Sequence, residues 1–225
     1  MSFRLGLIIN PMAGLGGSVA LKGSDGADVA RQALVLGAVP RAIERTRIAL
    51  EVLQGLDLQV LTWAGDMGAD LAVEFGFETR VLGVADNCPT TADDTCRAAK
   101  AMLEAGVDLV LFAGGDGTAR NICETLGEQI PVLGIPAGVK IHSGVYALTP
   151  LAAGQLLAML VEGELVSIAE QEVRDLDEVA FRAGQVRARF YGEMLVPSEH
   201  RYLQHVKNAG NREDETLVLD EIAAG

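Results

Sequence analysis

The segment Asp108-Leu109-Val110-Leu111-Phe112, running into Ala113-Gly114-Gly115-Asp116-Gly117-Thr118, constrains the fold of this chain more than any other. Four consecutive apolar side chains leave no polar face, so the run reads as a strand buried on both sides of a parallel sheet. Glycines turn the chain, and Thr118 to Gly127 reads as a helix with its stop. A strand that turns through glycines into a helix collects free backbone N–H groups and the positive helix end at one point. That makes an anion site, with phosphate the usual anion. Asp116 sets this turn apart, because a pure phosphate cradle would avoid a negative charge. A carboxylate there suits Mg²⁺ binding, or acceptance of a proton from an attacking hydroxyl. A plain strand-to-helix turn also uses glycine pairs, and Asp often caps helices. The motif alone leaves both readings open.

The rest of the chain repeats the strand–loop–helix pattern. Arg4 to Ile9 is an apolar strand that enters the loop Asn10-Pro11-Met12-Ala13-Gly14-Leu15-Gly16-Gly17, extended by Lys22 to Gly26. A helix is expected from Ala27 to Leu36, and another from Pro40 with Ile43, Leu50 and Leu53 on one face. Leu58 to Trp63 and Thr79 to Val84 read as strands, with a short helix from Ala69 to Phe75 between them. Thr91-x-x-Asp94 has the form of a capping box ahead of Cys96, Ala99, Met102 and Leu103 at helical spacing. Pro131 to Ile135 is a further strand, and Thr149-Pro150 opens an amphipathic helix to Val161. Such alternation predicts a parallel sheet covered by helices on both faces. After Gly163 the pattern changes. Val186, Ala188 and Phe190 alternate with Arg187, Arg189 and Tyr191, after a turn at Ala183-Gly184, which predicts antiparallel β-structure.

Both glycine loops fall at the carboxyl ends of parallel strands, where such sheets bind ligands. Neither matches two familiar phosphate motifs. Gly14-x-Gly16 lacks the third glycine of the dinucleotide fingerprint, and Lys22 precedes Gly23 where a Walker loop needs Gly-Lys-Ser/Thr. A net charge of −13 argues against a nucleic-acid partner. It also requires any phosphate to be held locally, not by a general positive field. With 49% hydrophobic but only 4% aromatic residues, the core must be aliphatic. Cys88, Cys96 and Cys123 match no zinc or CxxC spacing and read as free thiols. No apolar run is long enough to span a bilayer, and no basic-then-apolar leader is present, so a cytoplasmic protein without a membrane partner is expected. His142, His200 and His205 have no i,i+4 pair and read as solvated or capping residues. Trp63 and Tyr146 could stack on a base but read as packing residues. Arg182, Arg187 and Arg189 read as an outward strand face.

Four motifs in order carry a resemblance: LIINPMAGLGG (7–17), TTADDT (90–95), AGGDGTARN (113–121) and GIPAGVKIHSGVYA (134–147). The chain resembles the NAD kinase and diacylglycerol kinase superfamily, and more distantly the 6-phosphofructokinases. Within it, the motifs are similar to the predicted ATP-NAD kinase branch that includes acetoin-catabolism X-type proteins, from Leu5 to Pro197. The resemblance implies an α/β fold: a Rossmann-like nucleotide-binding domain over residues 1–163, then a partial, mainly β domain over 164–225. It implies phosphoryl transfer from ATP, or polyphosphate, to the ribose hydroxyl of NAD, with Mg²⁺. Gly114, Gly115, Gly117 and Thr118 would line the phosphates, joined by Asn10, Gly14, Gly16, Gly17 and Asn121. Asp116 would be the catalytic base or the metal-side carboxylate. Lys140 would pair with the transferring phosphoryl group, or is an ordinary surface lysine.

The loop around Lys140 differs from the GTGND-type sequence of diacylglycerol and sphingosine kinases and from the glycine pattern of ordinary NAD kinases. Two alternatives therefore stand: a nucleotide-binding protein without turnover, and a kinase acting on another hydroxyl. An acidic chain without a basic amphipathic helix argues against a lipid acceptor. Members of the resembling branch continue past the position where this chain stops. Gly225 is thus expected to be an early end, with the incomplete β domain covered by a second copy in a homo-oligomer.

Overall fold

The computed structural model describes residues 2–15, 39–86, 88–138, 141–164, 167–176, 188–199 and 202–203. The expected helix from Ala27 to Leu36, the loop from Lys22 to Gly26 and most of the tail lie outside these residues. The described order is β1 (Phe3–Ile9), α1 (Ala42–Glu51), β2 (Leu58–Trp63), a 3₁₀ turn (Gly65–Met67), α2 (Ala69–Glu74), β3 (Glu78–Gly83) and α3 (Ala92–Ala105). It continues with β4 (Leu109–Gly114), α4 (Asp116–Leu126), β5 (Val132–Pro136), α5 (Pro150–Val161), β6 (Ser167–Leu176) and β7 (Ala188–Ser198).

Five strands form a parallel sheet in the order β3-β2-β1-β4-β5. From β1 the sheet grows one way through β2 and β3 and the other way through β4 and β5. The direction reverses between β1 and β4, which makes that pair the switch point of the sheet. Helices α1 and α5 pack together on one face, and α3 and α4 on the other. Close crossing of α1 and α5 depends on Gly154, where an added Cβ would lie 2.5 Å from the Ala49 carbonyl oxygen. Leu109 to Ala113 of β4 are fully buried, as an apolar central strand requires.

Local signals act where the sequence places them. Thr91 and Asp94 form the capping box of α3, with the Thr91 N–H donating to Asp94 Oδ2 at 2.8 Å. Thr149 Oγ1 accepts from the Ala152 N–H at 3.0 Å, with Pro150 at the first helical position of α5. Gly127 ends α4 at a φ of 51°. The three cysteines are free. Among the described residues no helix is long and apolar enough to cross a membrane.

The expected β-structure after Gly163 is a two-stranded antiparallel ribbon of β6 and β7, packed on α4. Its second strand starts at Ala188; Val186, Arg187 and the turn at Ala183-Gly184 lie outside the described residues. The sequence pattern does not predict the first strand, β6. A register shift between Val173 and Arg174 breaks its alternation, so Ser167 to Leu176 shows no clean period of two.

Tyr146 closes the sheet beyond β5. Gly134 pairs with it in a parallel bridge, donating its N–H to the Val145 carbonyl at 2.8 Å. The Tyr146 ring lies edge-on to Phe112, centroids 5.3 Å apart, and covers Gly134 so closely that an added Cβ would sit 2.4 Å from Cδ1. The ring cannot yield, because its hydroxyl is fixed to the Gly115 carbonyl oxygen at 2.7 Å. Gly134→Ala should therefore destabilise the fold by about 1–3 kcal/mol through overpacking. Urea unfolding checks this: a lowered midpoint is expected, and a wild-type midpoint would contradict the packing.

Candidate functional site

The turn after β4 is tighter than the sequence suggests. The strand continues to Gly114, which stays in register with Pro136 of β5, and α4 begins at Asp116. Only Gly115 lies between them, in ordinary extended backbone at φ −116°. Gly117 and Thr118 therefore belong to the first turn of the helix. Asp116 suits the first helical position because its charge meets the positive helix end. The N–H groups of Thr118 and Ala119 both reach the Gly115 carbonyl, at 2.8 and 3.1 Å. Those of Asp116 and Gly117 have no acceptor among the described residues. The first N–H groups of a helix have no partner within it, and such groups are suited to an anion.

Three loops meet here. Asn10 ends β1, and its N–H donates to the Ala113 carbonyl at 2.9 Å. Its side chain accepts from the Met12 N–H at 3.1 Å and donates from Nδ2 to Thr118 Oγ1 at 2.9 Å. One amide thus shapes its own loop and joins it to α4. Thr118 is only 3% exposed, and it fits because Gly114 has no side chain: an added Cβ would lie 2.4 Å from Thr118 Cβ. Gly14, at φ +87°, brings the first loop against the third, where an added Cβ would stand 2.5 Å from the Ala137 carbonyl oxygen. Ala137 donates to the Gly114 carbonyl at 2.9 Å. Gly115 and Gly138 face each other backbone to backbone; a Cβ on Gly138 would be 3.4 Å from Gly115 Cα.

Asp116 organises the other side of the turn. Its carboxylate is 6% exposed. Oδ2 accepts from the His142 N–H at 2.8 Å and faces His142 Nδ1 at 3.0 Å. Oδ1 accepts from the Ser143 N–H at 3.1 Å and faces Ser143 Oγ at 2.7 Å. Burial of a charge is tolerable when donors surround it in this way. Ser143 Oγ also lies 2.7 Å from the Arg174 carbonyl and accepts from the Arg174 N–H at 3.0 Å. Its single proton serves either Asp116 or that carbonyl. The Gly144 N–H donates to the Glu172 carbonyl at 2.9 Å, and Arg120 of α4 pairs with Asp175 at 2.8 Å. The ribbon is thereby tied to the turn by backbone, hydroxyl and charge.

Asp116 does not fit the Mg²⁺ role in this arrangement, because Oδ2 already accepts from the His142 N–H and faces its Nδ1, and Oδ1 accepts from the Ser143 N–H. Among the described residues no group of three or more His, Cys, Asp or Glu side chains is placed to hold a metal.

The expected site residues divide into groups. Asn10, Gly14, Gly114, Gly115, Asp116, Gly117 and Thr118 converge. Asn121 is a half-buried residue further along α4, whose carbonyl accepts from Thr125 Oγ1 at 2.8 Å. Its side chain makes no hydrogen bond among the described residues. Gly16, Gly17 and Lys140 lie outside those residues. Spacing alone makes His142 solvated or capping, yet it is held against Asp116, its side chain 18% exposed. A buried carboxylate needs donors, and this draws the polar pair His142-Ser143 inward from an otherwise apolar loop. Tyr146 packs, as expected.

Fold and loops define a doubly wound α/β protein with glycine loops gathered at the switch point of its sheet. The family model of the ATP-NAD kinase N-terminal domain matches residues 5–165, and the chain belongs to that family. It is also similar to a Cupriavidus necator protein named Acetoin catabolism protein X, 34% identical over 85 residues. That match spans 31% of this chain and 23% of the relative's length, well under two thirds.

Burial pushes the Tyr146 phenol well above its ordinary range, and the charges of Asp116 and Asp175 add to the shift. An unfolded tyrosine ionises near pH 10. Above that value the folded protein keeps a proton that the unfolded chain releases. Its stabilising effect is therefore full below about pH 10 and is lost as pH rises towards the folded pKa. Tyr146→Phe should lose about 1 kcal/mol at neutral pH, from the bond to Gly115, and decline less steeply in alkali. Urea midpoints at about pH 8 and about pH 11 check this; parallel declines in the two proteins would contradict it.

Proposed function

We propose that the chain is a phosphotransferase that binds a nucleoside triphosphate, or polyphosphate, at the β1–β4 switch point and phosphorylates the ribose hydroxyl of NAD. One observation carries this reading: two glycine loops at the carboxyl ends of adjacent strands, locked together by Asn10 and Thr118, beside the N–H groups of Asp116 and Gly117, which have no acceptor among the described residues. Membership of the ATP-NAD kinase N-terminal domain family supports the acceptor. In this reading residues 1–163 hold the nucleotide and residues 164–225 form a β-rich part that borders it. Charge developing on the phosphate oxygens meets backbone donors already in place, and catalysis is chiefly positioning and electrostatics. The hydroxyl proton goes to the Asp116–His142 pair. Exposed Ile168 and Phe190 on the ribbon support assembly with a second copy.

A second reading, nucleotide binding without turnover, is favoured by the buried and fully bonded Asp116 carboxylate. Formation of NADP from NAD and ATP separates the two readings.

Gly115 offers the cleanest structural test. Its φ is ordinary, and among the described residues an added Cβ would meet nothing closer than Gly138 Cα at 3.9 Å. Gly115→Val should fold, yet fill the path by which a phosphate approaches the helix start. Expected is the loss of most of the thermal protection by ATP, with at least about a tenfold weaker affinity, a change of about 1.4 kcal/mol. A folded variant that binds ATP like the wild type would overturn the cradle.

A further inference from the structure

We infer that His142, not Asp116, accepts the proton of the attacking hydroxyl, and that Asp116 is its positioning residue; this rests on the kinase reading above. Asp116 is poorly placed to act as a base itself. Its carboxylate is 6% exposed and takes contacts from two N–H groups, a hydroxyl and an imidazole nitrogen. A substrate hydroxyl would have to displace one of them from a buried site.

The imidazole has the complementary geometry. Nδ1 lies 3.0 Å from Asp116 Oδ2, and the His142 backbone N–H grips the same oxygen at 2.8 Å. Backbone and ring are thus fixed by one carboxylate. With Nδ1–H given to that oxygen, the second nitrogen, Nε2, carries the lone pair. Nε2 has no hydrogen-bond partner among the described residues, and the ring reaches solvent at 18% exposure. A carboxylate that holds one imidazole nitrogen, fixes the tautomer and stabilises the imidazolium is a known way to make a base from histidine. The loop that carries His142 borders Gly115 and Gly138, beside the free N–H groups at the start of α4. The imidazole and the start of α4 are joined directly through the Asp116 carboxylate.

The step balances with the donor triphosphate as co-reactant. The hydroxyl oxygen forms a bond to the terminal phosphorus. The bond from that phosphorus to the bridging oxygen breaks, and its electron pair leaves with the diphosphate. The hydroxyl proton moves to Nε2, and the resulting imidazolium faces the Asp116 carboxylate until solvent takes the proton.

His142→Asn tests the assignment, because the amide nitrogen of Asn can take the place of Nδ1 toward Asp116 while nothing replaces Nε2. The variant should fold and bind ATP like the wild type. Its kcat should fall by about 10²–10⁴ with little change in KM, and added imidazole should restore part of the rate. ¹⁵N spectra of the free wild-type protein should show His142 protonated at Nδ1 and bare at Nε2. A kcat within about threefold of the wild type overturns the base while leaving the kinase reading intact. The opposite tautomer overturns the pairing without any assay of transfer. Should His142→Asn fail to fold, the ¹⁵N spectra of the wild-type protein carry the test by the same tautomer criterion. Wild-type protein that transfers no phosphoryl group from ATP to NAD or another hydroxyl overturns the kinase reading and the base with it.

Discussion

The buried carboxylate of Asp116 is the interaction on which the site depends. Placed at the first position of α4, it sits where the helix field favours a negative charge. Its burial is tolerable only because the loop after β5 folds back to supply His142 and Ser143 as donors. That requirement fixes the path of the loop. It also sets the ribbon, since Ser143 reaches Arg174 and Gly144 reaches Glu172. Loss of a donor to a buried charge costs on the order of 1–3 kcal/mol or more, so loop, helix and ribbon hold their positions together.

The glycines around the site have different physical roles. Gly114 gives up a side chain so that Thr118 can reach Asn10, and Gly14 does so to pass the Ala137 carbonyl at a positive φ. Both serve the framework. Gly115 is different: neither its backbone nor its surroundings among the described residues forbids a side chain. Its bareness makes sense as room for something outside the chain. The backbone N–H groups of Asp116 and Gly117 face the same way in chemistry, as donors without an acceptor among the described residues.

Much of the sheet was legible because its strands are short, wholly apolar and punctuated by glycine, proline and helix caps. Leu109 to Phe112, the Thr91–Asp94 box and Thr149-Pro150 each act through local physics, so their places follow from sequence. Strand ends were less legible. Apolarity alone does not divide Ala113 and Gly114 between strand and turn, and ladder pairing with Pro136 carries β4 on to Gly114. The ribbon strand β6 hid behind a bulge at Val173 and Arg174. The contact of His142 with Asp116 spans 26 residues and arises from the electrostatic need of a buried charge. Spacing rules for histidine pairs do not register such a need.

Amide chemical shifts during a titration with ATP test the central claim, that the switch-point turn is the phosphate site. Gly115, Asp116 and Gly117 should show the largest shifts, followed by Asn10 and His142, with saturation at a common affinity. Saturable shifts confined to other residues, with Gly115, Asp116 and Gly117 unmoved, would contradict the account.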